Sequence, residues 1–114
     1  MLNSVQLFEM ALGVKSPWKI TSVEFSDGFS GKGLHIKIDF KKGAKFPDKD
    51  GALCDVYDTK EKTWKHLNFF QHECFIHCRV PRIKTKDGKV RMIDVPWARS
   101  GSGFTLLFEA YAMA

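Results

Sequence analysis

The stretch Arg79-Val-Pro-Arg-Ile-Lys-Thr-Lys-Asp-Gly-Lys-Val-Arg-Met-Ile-Asp-Val95 decides the fold, because it contains an antiparallel hairpin in outline. β-Forming residues stand on both sides of Asp87-Gly88, a dipeptide that readily adopts the positive φ angles of a two-residue turn. We therefore predict a strand that runs from Trp64 to Lys84, with a break expected at Asn68 to Gln71. After the turn, a second strand should return antiparallel from Val90 to Val95.

A two-residue turn would fix which side chains share a face of this hairpin. It pairs Lys84 with Arg91 and Lys86 with Lys89, and alternation along each strand then gathers the basic side chains on one face. The predicted basic face consists of Arg82, Lys84, Lys86, Lys89 and Arg91. Like charges opposite one another destabilise a sheet, which favours an anionic ligand such as a phosphate backbone. The alternative is a solvated terminal hairpin that is kept charged against edge-to-edge aggregation.

Outside the hairpin, the clearest strand signal lies at Gly33 to Phe40. Its apolar residues Leu34, Ile36, Ile38 and Phe40 alternate with His35, Lys37 and Asp39, which is the period of a half-buried strand. Two further strands are predicted at Ile20 to Ser26 and Ala52 to Asp58. Glycine-rich or turn-forming loops are expected at Ser26 to Gly33 and Lys41 to Gly51.

A helix is predicted at each end of the chain. Asn3 or Ser4 can cap the first helix, and Gly13 stands where a glycine would end it. Its buried stripe is expected to contain Val5, Phe8 and Leu12, widened by Leu7 and Ala11. The second helix is marked by Phe104, Leu107, Phe108 and Tyr111. The predicted fold class is α+β, with antiparallel β-hairpins of zinc-ribbon type between an N-terminal helix and the start of a C-terminal helix.

The chain is predicted to hold one domain. We expect a single β-rich domain over residues 1–103, and in residues 104–114 the start of a helix that leads to a downstream region. This second helix reaches the end of the sequence without a capping residue. This favours a helix that continues in a longer parent protein over a short natural protein with a frayed end.

Composition places the chain among ordinary globular proteins: it has 114 residues, of which 44% are hydrophobic and 27% are charged. A net charge of +5 and a pI near 9.2 favour an anionic partner without requiring one. No apolar run approaches the roughly 20 residues that span a bilayer, and the first residues predict an amphipathic helix rather than a signal peptide. Three cysteines argue against a secreted disulfide framework. We expect a cytoplasmic protein without a membrane or small-molecule partner.

Cysteines and histidines raise the question of a metal site. The candidates are Cys54, Cys74, Cys78, His66, His72 and His77. Zinc ligands usually come in close pairs such as Cys-x2-Cys. The only close pair here is Cys74 and Cys78, which would lie roughly 13 Å apart along a strand. We therefore expect buried cysteines that behave as small apolar residues, and no metal cofactor.

No catalytic constellation is evident in the sequence. Carboxylates crowd one region but fall in turns of a lysine-rich segment, where solvated turn residues are the simpler interpretation; they are Asp48, Asp50, Asp55, Asp58 and Glu61. No serine stands in a nucleophile-elbow setting, and Gly31-Lys-Gly33 lacks the strand-to-helix context of a phosphate loop. We expect no enzymatic activity in these residues.

Three segments of the chain carry a family resemblance. They are Val56-Tyr-Asp-Thr-Lys-Glu-Lys-Thr-Trp-Lys-His-Leu-Asn-Phe-Phe-Gln-His72, Arg79-Val-Pro-Arg-Ile-Lys84 and Val95-Pro-Trp-Ala-Arg99. In these segments, and more weakly over nearly the whole chain, the sequence resembles the N-terminal domain of insertion-sequence transposases of the ISL-three family. Such transposases commonly carry Cys-Pro-x-Cys-Gly zinc knuckles. Here the corresponding positions read Pro47-Asp-Lys-Asp-Gly51 and Thr85-Lys-Asp-Gly88, so the knuckles are degenerate.

The resemblance implies a DNA-binding domain that recognises transposon ends or supports that recognition. It also implies that strand transfer belongs to a downstream catalytic domain, and that the protein is nucleoid-associated when it is bound to DNA. The residues expected to contact phosphates are Arg79, Arg82, Lys84, Lys86, Lys89 and Arg91. One alternative is a module that dimerises the transposase or docks its other domains through exposed aromatic residues such as Trp64 and Trp97. Another is a stand-alone regulator derived from a transposase.

Overall fold

The computed structural model of the protein describes residues 4–26, 33–69 and 72–112. Two short helices accompany a six-stranded sheet, so the α+β class is confirmed in this coarse sense. The helices are α1, Ser4–Leu12, and α2, Leu106–Ala112. The strands are β1, Trp18–Ser26; β2, Gly33–Phe40; β3, Lys45–Pro47; β4, Leu53–Phe69; β5, His72–Lys84; and β6, Val90–Met92. No helix within the described ranges has the length and apolarity needed to cross a membrane.

β5 is the central strand of the sheet. It pairs antiparallel with β4 on one side, and on the other side it pairs parallel with β2 and then antiparallel with β6. β1 and β3 add antiparallel to β2 and β4, respectively. The parallel pair departs from the antiparallel hairpins expected from the sequence. It arises because the chain passes through β3 and β4 before β5 reaches β2, and such a crossover permits parallel pairing.

The alternation of β2 sorts its side chains between a buried and a solvent-facing side of the sheet, as predicted. Its buried residues are Leu34, Ile36, Ile38 and Phe40. On the neighbouring β5, the buried residues are Cys74, Ile76, Cys78, Val80, Pro81 and Ile83. Ile36 and Ile76 are direct partners across the two strands and are both 0% exposed. The centre of the core therefore lies on one face of the β2–β5 pair.

Three indole rings form the aromatic part of this core. Trp97 packs edge-on against Trp18 and Trp64, with ring centroids 5.1 and 5.5 Å apart. Phe40 and Phe46 surround Trp18. Trp64 is 2% exposed and Trp97 is 1% exposed, so the alternative in which these two residues form an exposed docking surface is wrong. Large aromatic rings contribute most when they are buried, and the sheet face accommodates both.

Two predicted boundaries are wrong around β3 and β4. β3 lies inside the predicted loop Lys41 to Gly51, because Phe46 is buried against Trp18 and brings its neighbours into pairing with β4. β4 joins the short strand predicted at Ala52 to Asp58 to the first part of the strand predicted from Trp64, through residues 59–63, for which no strand was predicted. Its backbone partners come from β5, which pairs with it along most of its length.

Some predictions fall on residues outside the described ranges. They are the Asn3 cap, most of the loop from Ser26 to Gly33 with its Gly31-Lys32 dipeptide, and the second half of the break at Asn68 to Gln71. On either side of that break, β4 ends at Phe69 and β5 begins at His72.

α1 ends as the sequence predicts. Gly13 adopts a φ of +71°, its N–H donates to the Met10 carbonyl, and the Val14 N–H donates to the Glu9 carbonyl at 2.8 Å. This pair of hydrogen bonds is the Schellman motif that closes a helix with glycine. The predicted widening of the buried stripe is wrong, because Leu7 is 55% exposed and Ala11 is also exposed.

α2 is anchored to β4 through Thr105, which is fully buried immediately before the helix. The Thr105 hydroxyl accepts a hydrogen bond from the Phe108 N–H and lies 2.7 Å from Nδ1 of His66. The Lys65 N–H donates to the Gly103 carbonyl, and the Thr105 N–H donates to the Lys65 carbonyl. The division of the chain at residue 103 stays a prediction, and these hydrogen bonds connect its two sides.

Replacing Trp97 by alanine should lower the free energy of unfolding by about 3–5 kcal/mol, because it removes a buried ring and leaves a cavity. Trp97→Phe should cost less, since it keeps a ring and removes an indole N–H that has no partner among the described residues. Chemical denaturation measures both. The control Leu53→Ala, at a side chain that is 67% exposed, should stay within about 0.5 kcal/mol of the wild type. A loss as small as the control's in Trp97→Ala would contradict the packing described above.

Stability should fall as pH decreases through 6.5, because burial lowers the pKa of His66 below that ordinary value. Below pH 6.5 the unfolded chain binds a proton at His66 that the folded protein does not bind. The contribution of neutral His66 to the free energy of unfolding is therefore complete above pH 6.5 and is lost below it. Burial also lowers the pKa of His77, which acts in the same direction. To separate His66 from His77, the pH dependence of the denaturation midpoint is compared between wild type and His66→Gln. The variant should show the flatter dependence. Identical pH profiles of the two proteins would show that His66 does not contribute to the pH dependence of stability.

Candidate nucleic-acid interface

The turn between β5 and β6 contains three residues rather than two. The Thr85 N–H donates to the Lys89 carbonyl at 2.8 Å, and the Gly88 N–H donates to the Thr85 carbonyl at 2.9 Å. Gly88 adopts a φ of +81°, the left-handed conformation that follows a type I turn in a three-residue hairpin loop. Asp87 supports this loop by accepting hydrogen bonds from the Thr85 hydroxyl and the Lys89 N–H.

The additional turn residue shifts the register of the hairpin by one position. Lys84 pairs with Val90 rather than Arg91, and Arg82 pairs with Met92. Since a shift of one residue reverses which side chains share a face, the predicted single basic face is wrong. Arg82 and Lys84 share a face with Val90 and Met92, whereas Lys89 and Arg91 share the other face with Thr85 and Ile83.

The hairpin nevertheless brings together three exposed lysines, Lys84, Lys86 and Lys89, which are called the hairpin lysines below. Lys84 ends β5, and the other two flank Asp87-Gly88. No ion pair engages any of them within residues 4–26, 33–69 and 72–112. Their charges are therefore available to an anionic partner.

Arg91 lies at the base of this group and is half-buried on the face of Ile83. Its Nε atom is buried and has no hydrogen-bond partner in the described part of the chain. A buried guanidinium nitrogen without a partner is costly, and its burial also keeps an external anion away from this atom.

Arg79 and Arg82, in contrast, are already paired with carboxylates. Nε of Arg79 lies 2.9 Å from Oδ1 of Asp39, and its guanidinium stands over the Phe40 ring. Arg82 donates two hydrogen bonds to Asp58. These bonds lower the pKa of Asp58 and raise the pKa of Arg82. Of the six predicted contact residues, Arg79 and Arg82 are paired with carboxylates. The hairpin lysines and Arg91 have no ion pair among the described residues.

A cleft of about 580 Å³ separates the β5–β6 turn from the β3–β4 turn. Its two rims carry the same tripeptide, Lys49-Asp-Gly51 and Lys86-Asp-Gly88, and both glycines have positive φ. Lys49 lowers the pKa of Asp87, as a minor contribution after the hydrogen bonds of the turn, so its charge reaches across the cleft. Lys49 was missed as a candidate, and its signal in the sequence is the repeated tripeptide.

The charges that line this cleft are balanced. Its cations are Lys49, Lys86, Lys89 and Arg91, and its carboxylates are Asp48, Asp50, Asp87 and Asp94. Asp48 is engaged in its own turn, where Oδ1 accepts hydrogen bonds from the Asp50 and Ala52 N–H groups. The positive excess of the hairpin therefore lies towards its outer surface at Lys84, outside the cleft lining.

The solvent-facing side of the sheet offers a different surface. Nδ1 of His35 and Nε2 of His77 are 2.7 Å apart with the rings stacked, and the Thr63 hydroxyl lies 3.0 Å from Nδ1 of His77. Burial, followed by the charges of His35 and Lys37, lowers the pKa of His77. Glu61 stands beside this pair. This side of the sheet carries charges of both signs, among them Lys37 and Glu61.

The cysteines do not fit the zinc site that the family resemblance implies. Cys74 and Cys78 are separated by three residues along β5 and are buried in the core, and this burial raises the pKa of Cys74 to about 11 and that of Cys78 to about 12. Cys54 lies on β4 beside Asp48. The histidines contact other groups: His66 meets Thr105, His72 meets Phe25, and His77 meets His35. In the described part of the chain, no three His, Cys, Asp or Glu side chains are grouped to hold a metal ion.

The clustered carboxylates are dispersed by the fold. Asp55 pairs with Lys45, and Asp58 pairs with Arg82. Asp48 serves its turn, as described above. Asp48 and Asp50 lie in the segment between β3 and β4, as expected, whereas Asp55, Asp58 and Glu61 lie on β4, so the interpretation as turn residues is wrong for these three.

The sequence is similar to the transposase for insertion sequence element IS1557 of Mycobacterium tuberculosis, in strains CDC 1551 / Oshkosh and ATCC 25618 / H37Rv. In each case 25% of 113 residues are identical, and the match covers 95% of this chain but 26% of the transposase. The chain thus spans about a quarter of the length of these curated relatives. No family model matches, and no solved structure matches significantly. The chain is related in sequence to an insertion-sequence transposase.

Proposed function

We propose that this chain is a DNA-binding N-terminal domain of a transposase of the ISL-three family, which recognises transposon ends or supports that recognition. The observation that carries the proposal is the group of exposed, unpaired hairpin lysines. The relationship to a transposase over 95% of the chain supports DNA as the anion that they meet. A net charge of +5 adds long-range attraction to the duplex.

The hairpin lysines suit contact with the phosphate backbone. They fall within a six-residue stretch, Lys84 to Lys89, while duplex DNA carries about one negative charge per 1.7 Å of its axis. They stand around the tip of one hairpin, from which they can reach neighbouring phosphates. Such contacts position a protein on DNA and carry no base specificity, which is consistent with a domain that supports recognition carried out together with other parts of a transposase.

Four other cations contribute to the proposed surface to different extents. Lys49 approaches from the opposite rim of the cleft, and Arg91 adds a half-buried charge at the base of the hairpin lysines. Arg79 and Arg82 contribute only where a phosphate replaces Asp39 or Asp58. We therefore rank these two arginines below the hairpin lysines as contact residues.

The chemistry of strand transfer is assigned to a region outside these residues. The relatives are about four times as long as the matched segment, which leaves room for a catalytic domain. In this proposal residues 1–103 form the DNA-binding unit, and the helix from 104 leads towards that domain. The protein would work in the cytoplasm at the nucleoid.

Replacing Lys84 and Lys89 together by alanine should weaken DNA binding about equally for all sequences. It should also reduce the slope of log affinity against log salt by about 0.9 per lost phosphate contact, so by about 1.8 for two contacts. Fluorescence anisotropy with a labelled duplex, titrated over a range of salt concentrations, measures both quantities.

The matched control for this experiment is Lys37→Ala with Lys60→Ala, which removes the same amount of charge from β2 and β4, away from the hairpin. It should leave the salt slope nearly unchanged. Equal slopes in wild type and in the hairpin variant would exclude the hairpin as the contact surface. Failure of the wild type to bind any duplex at low salt would refute DNA binding itself.

We also propose that the domain folds without zinc. Structural zinc supplies much of the folding energy of small zinc domains and needs about four ligands. Here the aromatic core supplies burial instead, at about 25 cal/mol per Å² of apolar surface. Elemental analysis should find no stoichiometric zinc, and the melting temperature should be the same with and without a strong chelator. One equivalent of bound zinc, or a large drop in melting temperature on chelation, would show that this proposal is wrong.

A further inference from the structure

The two helices present an uncharged, exposed surface in a chain that is otherwise rich in charge. Each helix contains a single charged residue, Glu9 in α1 and Glu109 in α2, although 27% of the whole chain is charged. Surface helices normally place polar residues on the side that faces water. In this protein most of the exposed residues of both helices are apolar, with Gln6 as a polar exception, and they include Leu7 and Ala11, which the sequence pattern assigned to the core.

These stripes meet across a groove of about 390 Å³ between the end of α1 and the start of α2. Trp97 and Thr105 form part of its wall. None of the described residues that line the groove is charged. The surface, called the helix face below, consists of Leu7, Met10, Ala11, Leu106, Leu107, Ala110 and Tyr111.

The exposed side chains of the helix face are large. Met10 is 69% exposed, Tyr111 is 72% exposed and Leu106 is 48% exposed. Isolated apolar residues on a surface require no explanation, but a contiguous patch of this kind marks an interaction site.

We propose that the helix face binds the helix face of a second copy of this chain, giving a two-fold dimer. A two-fold contact requires a surface that is complementary to itself. The helix face meets that requirement because it combines a groove with protruding side chains: Met10 and Tyr111 of one copy can enter the groove of the other.

The area of the helix face agrees with this occupant. From their exposed fractions, its side chains leave about 600 Å² accessible on each copy, so a two-fold contact would bury about 1,200 Å², the lower end of the range for stable interfaces.

Charge points to the same arrangement. Each copy carries a net charge of +5, so two copies repel each other wherever lysines meet. The helix face contains no cation among its described residues, and its neighbouring Arg99 is neutralised by Glu109 at 2.7 Å. Two copies can therefore approach one another here with the least repulsion.

The test is the oligomeric state of the chain, measured by sedimentation equilibrium over a range of protein concentrations. The wild type should show a reversible monomer–dimer equilibrium. Leu107→Lys should weaken dimerisation by at least about tenfold, because it would place two buried cations at the contact. Met10→Lys should have the same effect from the other helix. Both residues are exposed in the single chain, so circular dichroism and the melting temperature at low concentration should show that the variants fold.

The matched control is Leu53→Lys, which adds the same charge at another leucine that is 67% exposed, on β4 and away from the helices. It should dimerise like the wild type. A wild-type chain that remains monomeric at concentrations of about 1 mM would overturn the proposal and leave the helix face to another part of a longer transposase or to a different protein. A dimer that tolerates Leu107→Lys and Met10→Lys would also overturn it, since the contact would then lie elsewhere.

Discussion

The architecture depends on the packing of one indole ring. Trp97 lies in the connector that follows β6, and its ring is held between Trp18 of β1 and Trp64 of β4. Its carbonyl accepts a hydrogen bond from the Leu106 N–H at 2.8 Å, at the first residue of α2. One buried side chain therefore fixes the path of the chain from the β5–β6 hairpin to the second helix. The part of the helix face that lies on α2 takes its position from this connector.

The length of one turn decides what the hairpin can do. The contact between the Thr85 hydroxyl and Asp87, together with the left-handed conformation of Gly88, closes a three-residue loop. The resulting register distributes the cations over both faces of the ribbon instead of gathering them on one. The β5–β6 hairpin therefore presents its positive charge around its tip. A tip of this kind suits contact with a few neighbouring phosphates better than the insertion of a continuous basic face into a groove.

Net charge alone is a poor guide to where an anion would bind. Among the described residues, five ion pairs engage cations with carboxylates, and two of them involve predicted contact residues, Arg79 and Arg82. An arginine that is held by a carboxylate offers little to a phosphate unless the pair is broken. The hairpin lysines have no such partner within residues 4–26, 33–69 and 72–112, and the residues of the helix face are uncharged. The protein thus separates a surface suited to a polyanion from a surface suited to an apolar partner.

The sequence by itself determined the features that depend on near neighbours along the chain. The alternation of β2, the glycine that ends α1 and the position of the hairpin follow from periodicity and from the backbone freedom of glycine, and the structure has them where the pattern predicts. Tertiary structure alone decided the pairings between distant segments. These include the parallel contact of β2 with β5, the extension of β4, the burial of Phe46 and the ion pairs of Arg79 and Arg82. The six candidate contact residues were located in the right part of the chain, but their register and their partners depend on a turn hydrogen bond and on carboxylates that lie about 20 to 40 positions away. No local pattern encodes such contacts, because they form only when the strands that carry them are brought side by side.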